Sequence, residues 1–185
     1  AKGKVATLAC GYQGGPNALI AMGALKGGIK EEELQPIVRQ WREANSKIVA
    51  LWKKVENAAF DAVMCKGTEN VSHGVRYRYR TGVLFADLPS GRSLAYYNPR
   101  IEMDTKFKRE VLVFDGMDQV KKQWGPQRTY GGKLVENLVQ AIARDCLAES
   151  MLRLDRAGYK PVMHVHDEVV LDVPLNQINV WYVEK

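Results

Sequence analysis

Residues 75–88, VRYRYRTGVLFADL, contain two runs divided by a Thr-Gly pair. Val and Tyr alternate with Arg in the first run, and Val and Phe stand at alternate positions in the second. The Val, Tyr and Phe residues recur with period two, which predicts two strands joined by a turn at Thr81-Gly82. Two further strand candidates, SLAYYNP and EVLVFD, follow and extend to Asp115, with turns expected at SGR and NPR. This middle segment therefore predicts an antiparallel sheet.

The first of these strands carries three arginines, Arg76, Arg78 and Arg80, at alternate positions. Alternate residues of a strand share a face and lie about 6–7 Å apart, which is close to the phosphate repeat of a nucleic-acid strand. The pattern fits a nucleic-acid contact, and it fits equally a solvated strand whose tyrosines pack inward.

Helical patterns flank the predicted sheet. A helix is expected over the first ten residues, a short one at about 17–25, and two more divided at Asn45-Ser46. After the strands, a long helix is expected from about Tyr130 to Ala157. The fold class predicted is α+β, with helices packed on an antiparallel sheet.

One sector of the long predicted helix is polar in an unusual way. At 100° per residue, Lys133, Asn137, Gln140 and Arg144 fall within a narrow stripe. A plain solvent face would carry more Glu/Lys pairs, so the mixture of amides and cations favours a ligand-facing stripe. Amides and guanidinium groups can bind base edges, sugars and phosphates.

Residues 163–173, MHVHDEVVLDV, predict a hairpin with His166, Asp167 and Glu168 at its tip. Adjacent carboxylates favour a hard ion such as Mg²⁺, and phosphoryl transfer is chemistry that uses it. The spacing of His164 and His166 also resembles a zinc hydrolase, but His73 is the one remaining histidine of the sequence, too few for that site. A solvated acidic turn is the purely structural alternative.

The amino-acid composition limits the classes of protein to which the chain can belong. The 185 residues are 46% hydrophobic, and 27 Lys plus Arg against 21 Asp plus Glu give a net charge of +6, which makes an anionic partner plausible. Three widely spaced cysteines indicate neither a disulfide framework nor a zinc ribbon, so a reducing cytoplasm is expected. No apolar run approaches the roughly 20 residues of a membrane span, so we expect no membrane partner.

Three segments, in this order, together resemble the family A DNA polymerases, and most closely their phage and prophage branch. They are KVATLACGYQGG, the pair LPSGRSLAYYNPRIE and YGGKLVENLVQAIARDCLAE, and HVHDEVVLDVP. The resemblance runs from residue 1 to about Pro174. It implies a partial helical fingers subdomain in residues 1–70 and the C-terminal part of the palm, with its antiparallel sheet, in residues 71–185.

The resemblance also implies roles for individual residues. At the hairpin, Asp167 matches the metal-binding catalytic carboxylate, Glu168 its auxiliary neighbour, and His166 a residue near the primer end. The implied nucleotide-binding residues are Lys4, Leu8 and Tyr12, with Leu8 standing where the family has an aromatic. The implied DNA-binding residues are Asn137, Gln140 and Arg144. The implied cofactor is Mg²⁺ or Mn²⁺, and the implied partners are primer-template DNA and deoxynucleoside triphosphates.

The resemblance places the family's fingers arginine four residues before Lys4, and its first palm motif further upstream. We therefore expect a polymerase fragment that is inactive alone and whose partner is the upstream remainder of the enzyme, since a two-metal site needs both principal carboxylates. Two alternatives remain at this point. One is a catalytically dead remnant that only binds nucleic acid, and the other is a small metal-dependent phosphoesterase using Asp167 and Glu168.

Overall fold

The computed structural model describes residues 2–105, 108–118 and 120–174. Four helices come first: α1 (Lys2–Cys10), α2 (Pro16–Ala21), α3 (Glu31–Ala44) and α4 (Ser46–Met64). Six strands follow: β1 (Thr68–Ser72), β2 (Val75–Arg80), β3 (Val83–Asp87), β4 (Ser93–Asp104), β5 (Arg109–Met117) and β6 (Trp124–Thr129). Helix α5 (Gly131–Arg156) and the hairpin strands β7 (Pro161–Val165) and β8 (Glu168–Leu171) complete the described elements. The predicted α+β fold class is confirmed.

Strands β1 to β6 form one antiparallel sheet in which sequence neighbours are also spatial neighbours. The quoted segment forms β2 and β3, and Arg80 pairs with Val83 across a two-residue turn. Thr81 and Gly82 both have positive φ, 51° and 78°. Two-residue hairpin turns favour this backbone because its twist matches that of the strands, although a β-branched residue such as Thr81 adopts it at a cost. The turn therefore sets the register of the central hairpin.

One predicted turn is wrong, and neither edge strand of the sheet was predicted. The expected turn at NPR does not form, because β4 continues through it to Asp104. The β4–β5 register instead shifts between Tyr97 and Arg100, where Pro99 has no N–H to donate to the ladder. Strands β1 and β6 carry Asn, Gly and Pro, which are depleted in strands, so composition gave little sign of them.

Helix α4 covers the inner face of the sheet. Tyr77 and Leu84 from neighbouring strands are fully buried, as is Trp52 of the helix. Ala59 and Ala62 are also fully buried, and their small side chains let the helix axis approach the strands closely. Each fully buried large side chain contributes about 1.5–3 kcal/mol to folding. This layer is the main core of the protein.

The helices before α4 have a second apolar core. It contains Cys10 of α1, Leu19 of α2 and Leu34 of α3, all essentially inaccessible to water. Helix α2 ends at Ala21, earlier than the predicted end near residue 25. The predicted break at Asn45 is confirmed, but its side-chain amide donates back to the Trp41 carbonyl at 2.8 Å and so caps the end of α3 rather than the start of α4.

The chain forms two compact units, one up to Val139 and one from Gln140 onward. The predicted division into fingers and palm near residue 70 stays a prediction, and residues 175–185 of the predicted palm lie outside the described part. Within the residues that the structure describes, none of the helices has the length and apolar character needed to cross a membrane.

Helix α5 begins against the backbone of earlier helical segments. The Gly132 N–H donates to the Gln13 side-chain oxygen at 2.7 Å. A Cβ added at Gly132 would overlap the Tyr12 carbonyl oxygen, and one added at Gly131 would overlap the Trp52 carbonyl oxygen. The Gly-Gly pair therefore allows a backbone-to-backbone approach that no other residue type permits.

We expect Gly132→Ala to lower the free energy of unfolding by about 1–3 kcal/mol, because the added methyl group displaces a rigid backbone segment. Urea denaturation would measure the change. Gly125→Ala is the matched control, since a Cβ at Gly125 meets nothing within 4 Å. Equal stability of the two variants would show that the approach of α5 is not tight.

Candidate functional site

The first helix presents two of the predicted nucleotide-binding residues on one face. Lys4 and Leu8 are one helical turn apart and exposed, and half of the Leu8 side-chain surface meets solvent. Tyr12 lies just after the end of α1 and is half-buried, and its carbonyl oxygen is the one that Gly132 approaches. Within the unit that ends at Val139, α1 and the turn that follows it therefore bring Lys4, Leu8 and Tyr12 to one region.

The end of α1 is held in place by α3. The Arg42 guanidinium donates to the carbonyl oxygens of Gln13 and Gly14, at 3.4 and 3.2 Å. Gln13 has a positive φ of 69°, so the chain turns sharply here. The carbonyl groups beyond a helix end accept no hydrogen bond from a helix N–H, so a nearby cation that donates to them stabilises the helix end. Arg42 was not among the predicted site residues, because a lone arginine within a helical pattern offers no signal for this contact.

The predicted acidic hairpin is confirmed in its geometry. The last paired residues are Val165 and Glu168, so His166 and Asp167 form a two-residue turn. His166 has a φ of 53°, in the left-handed region that few residues other than glycine adopt. Asp167 and Glu168 are both exposed. The turn thus presents two adjacent carboxylates to solvent on a short, hydrogen-bonded support.

His164 contacts helix α5 within the second unit. The Arg144 Nη2 lies 3.4 Å from His164 Nε2, and because a guanidinium only donates, the imidazole accepts through Nε2. Across residues 2–105, 108–118 and 120–174, no group of three or more His, Cys, Asp or Glu side chains could hold a metal ion. The hairpin therefore offers two carboxylates and not a complete set of protein ligands.

The polar stripe of α5 has different surroundings along its length. The Asn137 amide donates to the Tyr96 hydroxyl at 3.1 Å, and Lys133 pairs with Glu136 at 2.9 Å. Burial raises the pKa of Tyr96, and the hydrogen bond from Asn137 offsets part of that rise. Gln140 is exposed further along the helix. One amide proton of Asn137 is thus used within the protein.

A buried carboxylate organises the arginines of β2. Asp87 accepts hydrogen bonds from Arg76 Nε at 2.8 Å, from Arg78 Nε and Nη2 at 3.2 and 3.1 Å, and from the Ser93 hydroxyl at 2.7 Å. Burial raises the pKa of Asp87, but the hydrogen bonds from Arg78, Ser93 and Arg76 outweigh it and lower the pKa to about 2. This carboxylate is therefore ionised at any physiological pH.

The contacts of Asp87 revise the phosphate interpretation of the three arginines. Two of them share one carboxylate, and only Arg80 makes no ion pair with any described residue. The sequence carries a signal for this pairing, because counting outward from Thr81-Gly82 places Arg76 opposite Asp87, as observed. An opposite charge directly across two strands is a frequent stabilising pair.

Taken together, the described residues define an α+β protein with an exposed acidic hairpin and a helix that presents Gln140 and Arg144. No family model matches the chain, and no solved structure matches it. The chain is similar to a DNA polymerase of Bacillus phage SP02, with 57% identity over 173 residues that cover 94% of this chain and 26% of the relative. The chain thus spans about a quarter of the length of that phage DNA polymerase.

The Asp87 cluster predicts a pH dependence of stability. The folded pKa of about 2 lies below the ordinary value of 3.8. The ionised carboxylate therefore stabilises the folded protein above pH of about 4, and this contribution is lost as the pH falls toward 2. The shift corresponds to about 2 kcal/mol.

We expect Asp87→Asn to lower the free energy of unfolding by about 2 kcal/mol at pH 7, and the difference from the unsubstituted protein to shrink below pH of about 4. Urea denaturation across a pH series would measure both effects. Asp61→Asn, at an exposed position of α4, is the control. A difference that stays constant from pH 7 down to pH 2 would contradict the assignment of the effect to the ionised carboxylate.

Proposed function

We propose that this chain is part of a family A DNA polymerase that adds deoxynucleotides to the 3′ end of a primer. The observation that carries the proposal is the hairpin that presents Asp167, in its two-residue turn, beside Glu168, the first residue of β8, in a chain 57% identical over 173 residues to a phage DNA polymerase. Asp167 is the catalytic carboxylate in this proposal, Glu168 its auxiliary neighbour, and His166 a residue near the primer end.

The carboxylates fit Mg²⁺ or Mn²⁺, because exposed carboxylate oxygens are the ligands that hard divalent cations prefer. A bound ion of this kind neutralises phosphate charge during nucleotidyl transfer. Two carboxylates leave most coordination positions to water and to phosphate oxygens. We therefore expect the hairpin to bind the ion weakly by itself and more tightly when a nucleotide is present.

The remaining roles in this proposal are those that the resemblance implies, and exposure and chemistry support them. Lys4 offers a point cation on the open face of α1 for the phosphates of an incoming nucleotide. Leu8, half exposed beside it, offers an apolar surface for the sugar, and Tyr12 a ring for the base. The exposed amide of Gln140 and the guanidinium of Arg144 suit the primer-template duplex, with Asn137 retaining one amide proton for the same task.

We also propose that the 185 residues alone do not extend a primer. A two-metal site holds the attacking and leaving oxygens with ions about 3.5–4 Å apart, which requires more carboxylate ligands than the pair at this hairpin. Phosphoryl transfer depends almost wholly on positioning and charge stabilisation, so an incomplete ligand set has little residual activity.

The test is a segment exchange. The matching segment of the phage SP02 DNA polymerase is replaced by this chain, and extension of a labelled primer on a template is measured with Mg²⁺ and all four deoxynucleotides. We expect the exchanged enzyme to extend the primer and Asp167→Ala to reduce the rate by about 10²–10³-fold, since one preorganised electrostatic contact supplies about that much in rate. Asp172→Ala, an exposed carboxylate beyond β8, is the matched control.

Four other results have distinct meanings. An exchanged enzyme that is unaffected by Asp167→Ala would contradict the proposed role of the hairpin. Primer extension by the 185 residues alone, abolished by Asp167→Ala, would contradict the proposal that they are insufficient. Hydrolysis of a simple phosphodiester by the chain alone, without primer extension after exchange, would favour the phosphoesterase, and DNA binding without either activity would favour the remnant.

A further inference from the structure

The outer face of the six-stranded sheet combines cations with exposed aromatic rings. Because directly paired residues of neighbouring strands share a face, the register defines which side chains lie there. The outer face, meaning here the face opposite α4, carries Arg76, Arg78, Arg80, Phe85, Tyr97 and Trp124. The intervening Tyr77 and Tyr96 point inward and are buried, which confirms the assignment of the two faces.

Two large aromatic side chains lie together at one side of this face. Tyr97 is 50% exposed and Trp124 is 59% exposed, and their ring centroids are 6.0 Å apart with planes tilted by 53°. Met117 pairs directly with Trp124 and is also 47% exposed. Clustered exposed apolar groups of this kind commonly mark an interaction site, since a folded protein gains stability by burying them.

The exposed cation Arg80 lies in the same row of the sheet. Arg80 pairs with Val83, and Val83 pairs with Tyr97, so Arg80 and Tyr97 are two strands apart, about 10 Å. Arg80 is exposed, and it makes no ion pair with any residue that the structure describes. A phosphate bound to Arg80 is therefore within one or two nucleotides of a base lying on Tyr97.

The same face continues past Arg80 into a polar groove of about 400 Å³. Arg76, Arg78, Asp87 and Ser93 line it, together with Asn70 of β1. Arg76, Arg78 and Asp87 together carry a net charge of +1. Arg76 donates to Asp87 only through Nε, so the terminal nitrogens of Arg76 can donate to another anion. The Arg78 guanidinium also lies 4.9 Å from the centre of the Phe85 ring, which orients it along the face.

We propose that this outer face binds single-stranded DNA, with bases stacked on Tyr97 and Trp124 and phosphates bound by Arg80 and the groove arginines. Aromatic rings interleaved with cations on an open surface are the combination that recognises unpaired nucleotides, because every base has a ring face and every nucleotide a phosphate. A duplex hides its base faces inside the helix and cannot use the rings. The identification of this strand as the template rests on the proposed function, whereas the binding itself does not.

The test measures binding of the 185-residue chain to a fluorescein-labelled oligothymidylate by anisotropy, across a salt series. We expect Tyr97→Ala and Trp124→Ala each to weaken binding by about tenfold with an unchanged salt slope, since each removes a stacking surface and no charge. Arg80→Gln is expected to make the slope of log K against log salt shallower by about 0.7, the contribution of one phosphate contact to a single strand.

Matched controls separate these effects from loss of fold. Met64→Ala removes an exposed apolar side chain of α4, and Arg39→Gln removes an exposed cation of α3. Neither is expected to change binding, and Trp124→Phe is expected to retain it because a ring is kept. Circular dichroism of each variant verifies folding.

Several outcomes would overturn the inference. One is an affinity for oligothymidylate that neither Tyr97→Ala nor Trp124→Ala changes. A second is that the unsubstituted chain does not bind oligothymidylate at low salt. A third is that it binds a blunt duplex of the same length with equal affinity. The segment exchange with Asp167→Ala tests the proposed function separately, because it measures catalysis. The binding measurements require no catalytic activity. A chain that loses extension activity through Asp167 but shows no ring-dependent binding would refute this inference alone.

Discussion

The close approach of Gly131 and Gly132 to the backbone is the contact on which the arrangement of the first unit depends. These two residues lie against the carbonyl groups of Trp52 and Tyr12, where any Cβ would collide. One point of the chain thereby joins the helix that covers the sheet, the turn that ends α1, and the start of α5. The positions of two proposed contact residues depend on this point, since Tyr12 is in that turn and Asn137 is on helix α5.

The sheet has a comparable dependence on a single turn. Once Thr81 and Gly82 adopt positive φ, Arg76 must lie opposite Asp87, and the arginines and tyrosines of β2 must occupy opposite faces. A shift of one residue would bury the arginines and expose Tyr77, which is costly enough to exclude that register. The same register places Tyr97 in line with Arg80, so a local backbone preference determines the chemistry of an entire surface.

The acidic hairpin illustrates a different relation between stability and function. His166 adopts a left-handed conformation, and two carboxylates stand side by side in solvent with no cation paired to them among the described residues. The adjacent like charges do not stabilise the fold. Unpaired like charges persist where a site uses them, which agrees with the role proposed for Asp167. The arginine that contacts the hairpin, Arg144, binds His164 and leaves the carboxylates exposed.

The sequence by itself determined the order of helices and strands, the central hairpin, the break at Asn45 and the acidic turn, because each depends on periodicity or on turn residues within a few positions. It did not determine the edge strands, because the Asn of β1 and the Gly and Pro of β6 disfavour a strand locally, and these strands form by pairing with β2 and β5. Nor did it reveal that Arg76 and Arg78 bind Asp87, or that Tyr97 and Trp124 meet on the outer face. Those contacts join residues from 9 to 27 positions apart, and only the packing of the sheet decides which distant side chains become neighbours.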